Sequence, residues 1–206
     1  MSDDLINARA DLAFLRSIAE SDPHPSAAFG VLLMTAGLFY GLETLLHWVG
    51  TAGLAPVPAW AHLAAAIIAT GGFLAVLAVV LWLNHKQTDT GTVTRRAYEA
   101  AFQAAGLANI SMVCVFAFNA VKAGDFMIWL YYVPVVFAMQ GGAWFVAASL
   151  RRKAWYGIVA LGWFLAAVAL GLTIGSGLFN LVTSLSLFLL MALPGFVMWR
   201  TAIRAR

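Results

Sequence analysis

Three side chains with chemistry to offer stand out in an apolar chain: Glu43 and His47 within GLETLLHWVG at 41–50, and His62 one short connection later. A spacing of four puts Glu43 and His47 on one face of a helix. Counted from Val49 at about 1.5 Å per residue, Glu43 lies roughly 9 Å inside a membrane-length segment and His47 close to its end. A carboxylate beside an imidazole can take up and release protons near neutral pH. The same residues, Glu43, His47 and His62, are competent ligands for zinc, copper or iron. His47 and His62, at similar depth on different helices, also suit a haem, although no cofactor at all is the simpler expectation.

Other polar residues are expected to complete an outward-facing pocket: Asn119 and Lys122 near the end of the third apolar stretch, Asp125 just beyond it, and Asn180 at the start of the sixth. The uneventful alternative is a hydrogen bond between Glu43 and His47 along their own helix, with both imidazoles wet at the membrane surface. A second polar line, Gln103, Asn109 and Ser111 with Gln140, reads as interhelical hydrogen bonding. Gly71, Gly72, Gly141 and Gly142 read as close helix contacts.

The elements that must position these groups follow from composition. With 63% hydrophobic and 10% charged residues, and a mean hydropathy of +0.87, the chain is an all-α integral membrane protein rather than a soluble domain. Six stretches have the required length, at 28–49, 59–83, 98–121, 127–149, 154–174 and 178–199. Each is expected to be a transmembrane helix, because in lipid the backbone must satisfy its own polar groups. They pair in sequence as three hairpins, giving a 28–206 bundle with a short basic C-terminal tail, and no second, soluble domain fits. Pro56 and Pro58 sit in a connection, as do Gly175 and Gly177. Pro134 and Pro194 fall inside spans four and six, where they should kink the helix or leave carbonyls in need of a partner.

Lys and Arg set the orientation. Arg9 and Arg16, then Lys86, Arg95 and Arg96, then Arg151, Arg152 and Lys153, and finally Arg200, Arg204 and Arg206 all fall on one side. Only Lys122 falls on the other. Both termini are therefore expected in the cytoplasm, with Trp48, Trp60, Trp129, Tyr131 and Tyr132 as an outer aromatic belt. Topology accounts for the pI of 9.3, so the basic charge is not read as nucleic-acid affinity. Cys114, alone in its type, reads as a small buried hydrophobe. The start of the chain lacks the pattern of a cleaved secretory signal, so the mature protein is expected to begin at Met1.

Residues 1–27 are organised differently. Leu5, Ala8, Leu12, Leu15 and Ala19 recur at spacings of three and four and define one apolar face of a short cytoplasmic amphipathic helix. Its acidic residues would be repelled by an anionic leaflet, so packing against its own loops or docking to a partner through Leu5, Leu12 and Leu15 is expected instead. The stretch DLAFLRSIAESD, leading into six crossings with basic inner loops, resembles a family of small uncharacterised proteobacterial inner-membrane proteins with no assigned activity. That resemblance implies the bacterial inner membrane and carries over no functional residues.

Enzyme motifs do not assemble. The order E-T-L-L-H at 43–47 is not the H-E-x-x-H of zinc peptidases. IGSG at 174–177 looks like the serine motif of rhomboid proteases, but Ile174 stands where the glycine is needed and no histidine follows. The sequence thus predicts a non-enzymatic binding, regulatory or accessory membrane subunit. Its partners are the bilayer, a cytoplasmic or membrane protein, and, as a further candidate, a second copy of itself. The alternative is a small transporter or sensor whose Glu and His site takes protons, a metal ion or a small solute. Short outer loops and few midplane charges favour the first over alternating access.

Overall fold

The computed structural model describes residues 27–85 and 93–204. Among them are six helices long and apolar enough to cross a membrane, and no strand. The elements are α1 (Ala27–Thr51), α2 (Ala59–Asn84), α3 (Val93–Ala123), the single turn α4 (Met127–Leu130), α5 (Tyr132–Arg151), α6 (Ala154–Thr173), α7 (Phe179–Leu187) and α8 (Leu193–Arg204). A π-helical turn, Phe188–Ala192, joins α7 to α8 within the sixth span. The amphipathic face expected at Leu5, Leu12 and Leu15 lies outside the described residues.

The connections follow local backbone chemistry. At the end of α1 the N–H of Leu54 reaches Val49 O at 3.1 Å and that of Gly53 reaches Gly50 O at 3.2 Å. Gly53 has φ +69°, so this is a Schellman stop, built on the one residue type that adopts this conformation without cost. Gly124 ends α3 the same way, with Asp125 N–H on Ala120 O at 3.1 Å. Pro58, extended at φ −69° and ψ 150°, then starts α2.

The two prolines expected to disturb helices do so differently. Pro134 falls in the first turn of α5, after a break at Tyr131, where the missing N–H would have had no helical partner anyway. Pro194 is internal, and it has no N–H to give the carbonyl of Leu190 four residues back. The indole of the buried Trp163 on α6 supplies the donor instead, Nε1 to Leu190 O at 3.1 Å. The π turn lies immediately before this proline, as helix irregularities at such sites commonly do.

Packing makes α1 the hub of one half. It lies against α2, α7, the π turn and α8, whereas α5 pairs extensively with α6 and carries α3 on its other side. The neighbours therefore run α2, α1, the sixth span, α6, α5, α3, with α2 and α3 outermost. The core is Trp144, Tyr156, Trp163, Leu170 and Met198, all nearly inaccessible. α1 and the sixth span touch backbone to backbone. A Cβ on Gly195 would lie 2.3 Å from Met34 N, and one on Gly37 would lie 2.4 Å from Ala192 N. Of the four glycines singled out from sequence, Gly72 lies under the Phe39 ring and Gly141 under Phe164, while Gly71 and Gly142 face open space.

Candidate functional site

Glu43 and His47 project from the last three turns of α1, and His62 from the first turn of α2. The Schellman stop at Gly53 and the prolines of the connection return the chain so that α2 descends beside α1. The two imidazoles then meet: His47 Nδ1 and His62 Nδ1 are 2.7 Å apart. Their rings are parallel to within 6°, with centroids 4.6 Å apart. Face-over-face stacking could not bring two nitrogens so far inside the van der Waals separation of about 3.5 Å. The rings are therefore offset edge to edge, with nitrogen facing nitrogen, the arrangement of an N–H···N hydrogen bond.

Behind this pair, His47 Nε2 lies 3.7 Å from Glu43 Oε1. That is a charge contact and too long for a hydrogen bond, so the bond along one helix that the sequence allowed is replaced by a bond between helices. The carboxylate nonetheless selects a tautomer. Its charge favours a proton on the facing Nε2; in that tautomer His47 presents Nδ1 as an acceptor and His62 is the Nδ1–H donor. The side chains of His47 and Glu43 are 30% and 18% exposed, so the site is sheltered but reachable.

Gly50 is the residue that sequence reasoning passed over. A Cβ there would lie 3.0 Å from His62 Cε1 and 3.1 Å from Nε2, so the bare backbone of Gly50 is what lets the ring lie flat beside α1. The signal was present, since Gly50 follows His47 by three and shares its helix face.

The other expected pocket residues do not join the cluster. Asn119 turns its amide to its own helix, Nδ2 to Val115 O at 2.8 Å. Asp125 accepts from Met127 N–H at 2.8 Å across the tight outer connection. Lys122 is exposed and Asn180 half-buried. No hydrogen bond or ion pair among the described residues links any of these four to Glu43, His47 or His62. No group of three or more His, Cys, Asp or Glu side chains among the described residues could hold a metal ion. Cys114 is exposed on α3 rather than buried.

In the second polar line, Asn109 forms an interhelical bond, its Oδ1 accepting from the Tyr132 hydroxyl. Ser111 bonds back to Leu107 O. A further interhelical bond runs from Ser184 Oγ on α7 to Gly41 O on α1, at 2.8 Å and fully buried.

The chain matches no protein-family model, no curated protein and no solved structure.

Proposed function

We propose that this protein is a non-enzymatic, multi-pass membrane sensor or regulatory subunit in which Glu43, His47 and His62 form a cation-responsive clamp between α1 and α2. The observation that carries the reading is the 2.7 Å separation of the two Nδ1 atoms across the helix pair. An N–H···N bond in this position joins two helices through one bridging hydrogen, and any ion that replaces it must alter how α2 sits on α1.

The packing supports a moving part. Among the described helices α2 packs chiefly on α1, through Phe39 on Gly72, Tyr40 against Phe73 at 5.9 Å and a side-chain hydrogen bond between Tyr40 and Thr70. A neutral hydrogen bond contributes about 1 kcal/mol, which is roughly a fivefold change in the balance between clamped and released α2. That is a switch-sized increment on an element held chiefly by one described neighbour.

The remaining assignments rest on sequence. The distribution of Lys and Arg supports both termini in the cytoplasm and the clamp on the outer side, the order and spacing of the apolar stretches support three helical hairpins, and the bacterial inner membrane is what the family resemblance implies. The segment 1–27, whose sequence spaces Leu5, Leu12 and Leu15 as one apolar face would require, is the natural output towards a cytoplasmic partner. The resemblance of DLAFLRSIAESD and the six-span layout to small bacterial membrane proteins favours the same picture.

The test uses spin labels on cysteines introduced at the exposed positions Leu83 on α2 and Ile203 on α8, in a Cys114→Ser background. A distance distribution that broadens in His62→Leu relative to the parent supports the clamp. An unchanged distribution contradicts it.

A further inference from the structure

The clamp has the donor arrangement of a metal site with only two ligands, and we infer that it takes a soft monovalent d10 ion, Cu(I) or Ag(I), held linearly between His47 Nδ1 and His62 Nδ1. This deepens the reading above and rests on it.

Three features of the geometry lead there. The two Nδ1 atoms face one another at 2.7 Å from nearly parallel rings, so a single ion that enters between them meets one nitrogen from each helix. Glu43 sits on the opposite edge of the His47 ring, at Nε2, and cannot reach that point. At 3.7 Å it stands where carboxylates stand behind metal-bound histidines, and its charge favours the proton on that far nitrogen, leaving the near nitrogen as ligand. Zinc, which wants three protein donors or more, therefore finds two here. Linear two-coordination by two imidazoles is the preference of Cu(I) and Ag(I).

The required movement is small. Two collinear bonds of about 2 Å put the nitrogens about 4 Å apart, so the pair opens by roughly 1.3 Å from its hydrogen-bonded separation of 2.7 Å. An outermost helix that packs chiefly on one described neighbour can yield by that amount. On binding, the ion takes the place of the bridging proton, which passes to His62 Nε2 beside the bare backbone of Gly50. The neutral pair thus accepts one M⁺ with no electron transfer and no net loss of a proton.

The experiment is silver binding to the purified full chain in detergent, as Cys114→Ser so that the exposed thiol does not compete, with X-ray absorption at the silver edge. The expected result is one ion per chain with two nitrogen neighbours, absent in His47→Gln and in His62→Gln. Affinity should fall about tenfold or more in Glu43→Gln, the usual cost of losing an outer partner. Zinc should bind more weakly than silver. Silver that shows only sulfur neighbours, or that is retained equally by both histidine variants, overturns the inference. The label-distance test involves no metal, so the clamp can stand when the silver result is negative, and its own failure is read separately.

Discussion

The sharpest prediction concerns the carbonyl that Pro194 leaves without its helical donor. Trp163→Phe keeps an aromatic ring on α6 but removes the Nε1–H that reaches Leu190 O at 3.1 Å. An unsatisfied buried acceptor costs about 1–3 kcal/mol, and the smaller ring adds a cavity contribution of its own. Pro194→Ala separates the two effects, because it restores an N–H four residues beyond Leu190. With that donor present, removing the indole still empties the same space but no longer orphans the carbonyl. The cavity contribution cancels in the double-mutant cycle. The coupling that remains should be about 1–2 kcal/mol, with Trp163→Phe more damaging when proline is present. Reversible unfolding in mixed micelles of graded denaturing detergent would measure it. Additivity to within about 0.5 kcal/mol would show that the indole bond does not compensate for the proline.

Gly195→Ala and Gly37→Ala place a Cβ within 2.3 Å and 2.4 Å of backbone nitrogen on the opposing helix. Each should cost about 1–3 kcal/mol or more in the same unfolding assay, whereas Gly71→Ala and Gly142→Ala, which meet nothing within 4 Å, should be neutral or mildly stabilising. Ser184→Ala removes one bond to a carbonyl on α1 and should cost only about 0.6 kcal/mol, the average for interhelical hydrogen bonds in a membrane; a loss of several times that would assign the serine a larger part in holding α1. Gly50→Ala crowds the His62 ring and should broaden the Leu83–Ile203 label distances as His62→Leu does. An unaltered distribution would mean that the ring can shift without losing its bond.

Much of this architecture could be read from the chain, because a membrane-length helix is announced by length and polarity alone. All six helices stand where apolar runs of about 20 residues required them. The meeting of Glu43, His47 and His62 was legible too, since a spacing of four and a short connection leave few other arrangements. What was not legible depends on packing between distant segments. Gly30 meets Gly195, and Gly37 meets Ala192, across most of the length of the chain, and only the Gly37-x-x-x-Gly41 spacing hinted at it. Whether Asn119 joins a cluster or bonds its own helix is decided by which helices are neighbours, and α3 packs on α5 rather than beside α1 and α2. The tautomer logic of the histidine pair required knowing that Glu43 faces Nε2 while His62 faces Nδ1.

The central claim is that one hydrogen bond joins His47 to His62 across two helices. With four histidines in the chain, selective ¹⁵N labelling of the imidazoles gives a spectrum simple enough to test it in lipid nanodiscs. The account predicts a nitrogen–nitrogen coupling across the hydrogen bond between the two Nδ1 atoms, lost in His62→Leu. Two independent imidazoles, each exchanging its ring protons with water and sharing no coupling, would contradict it.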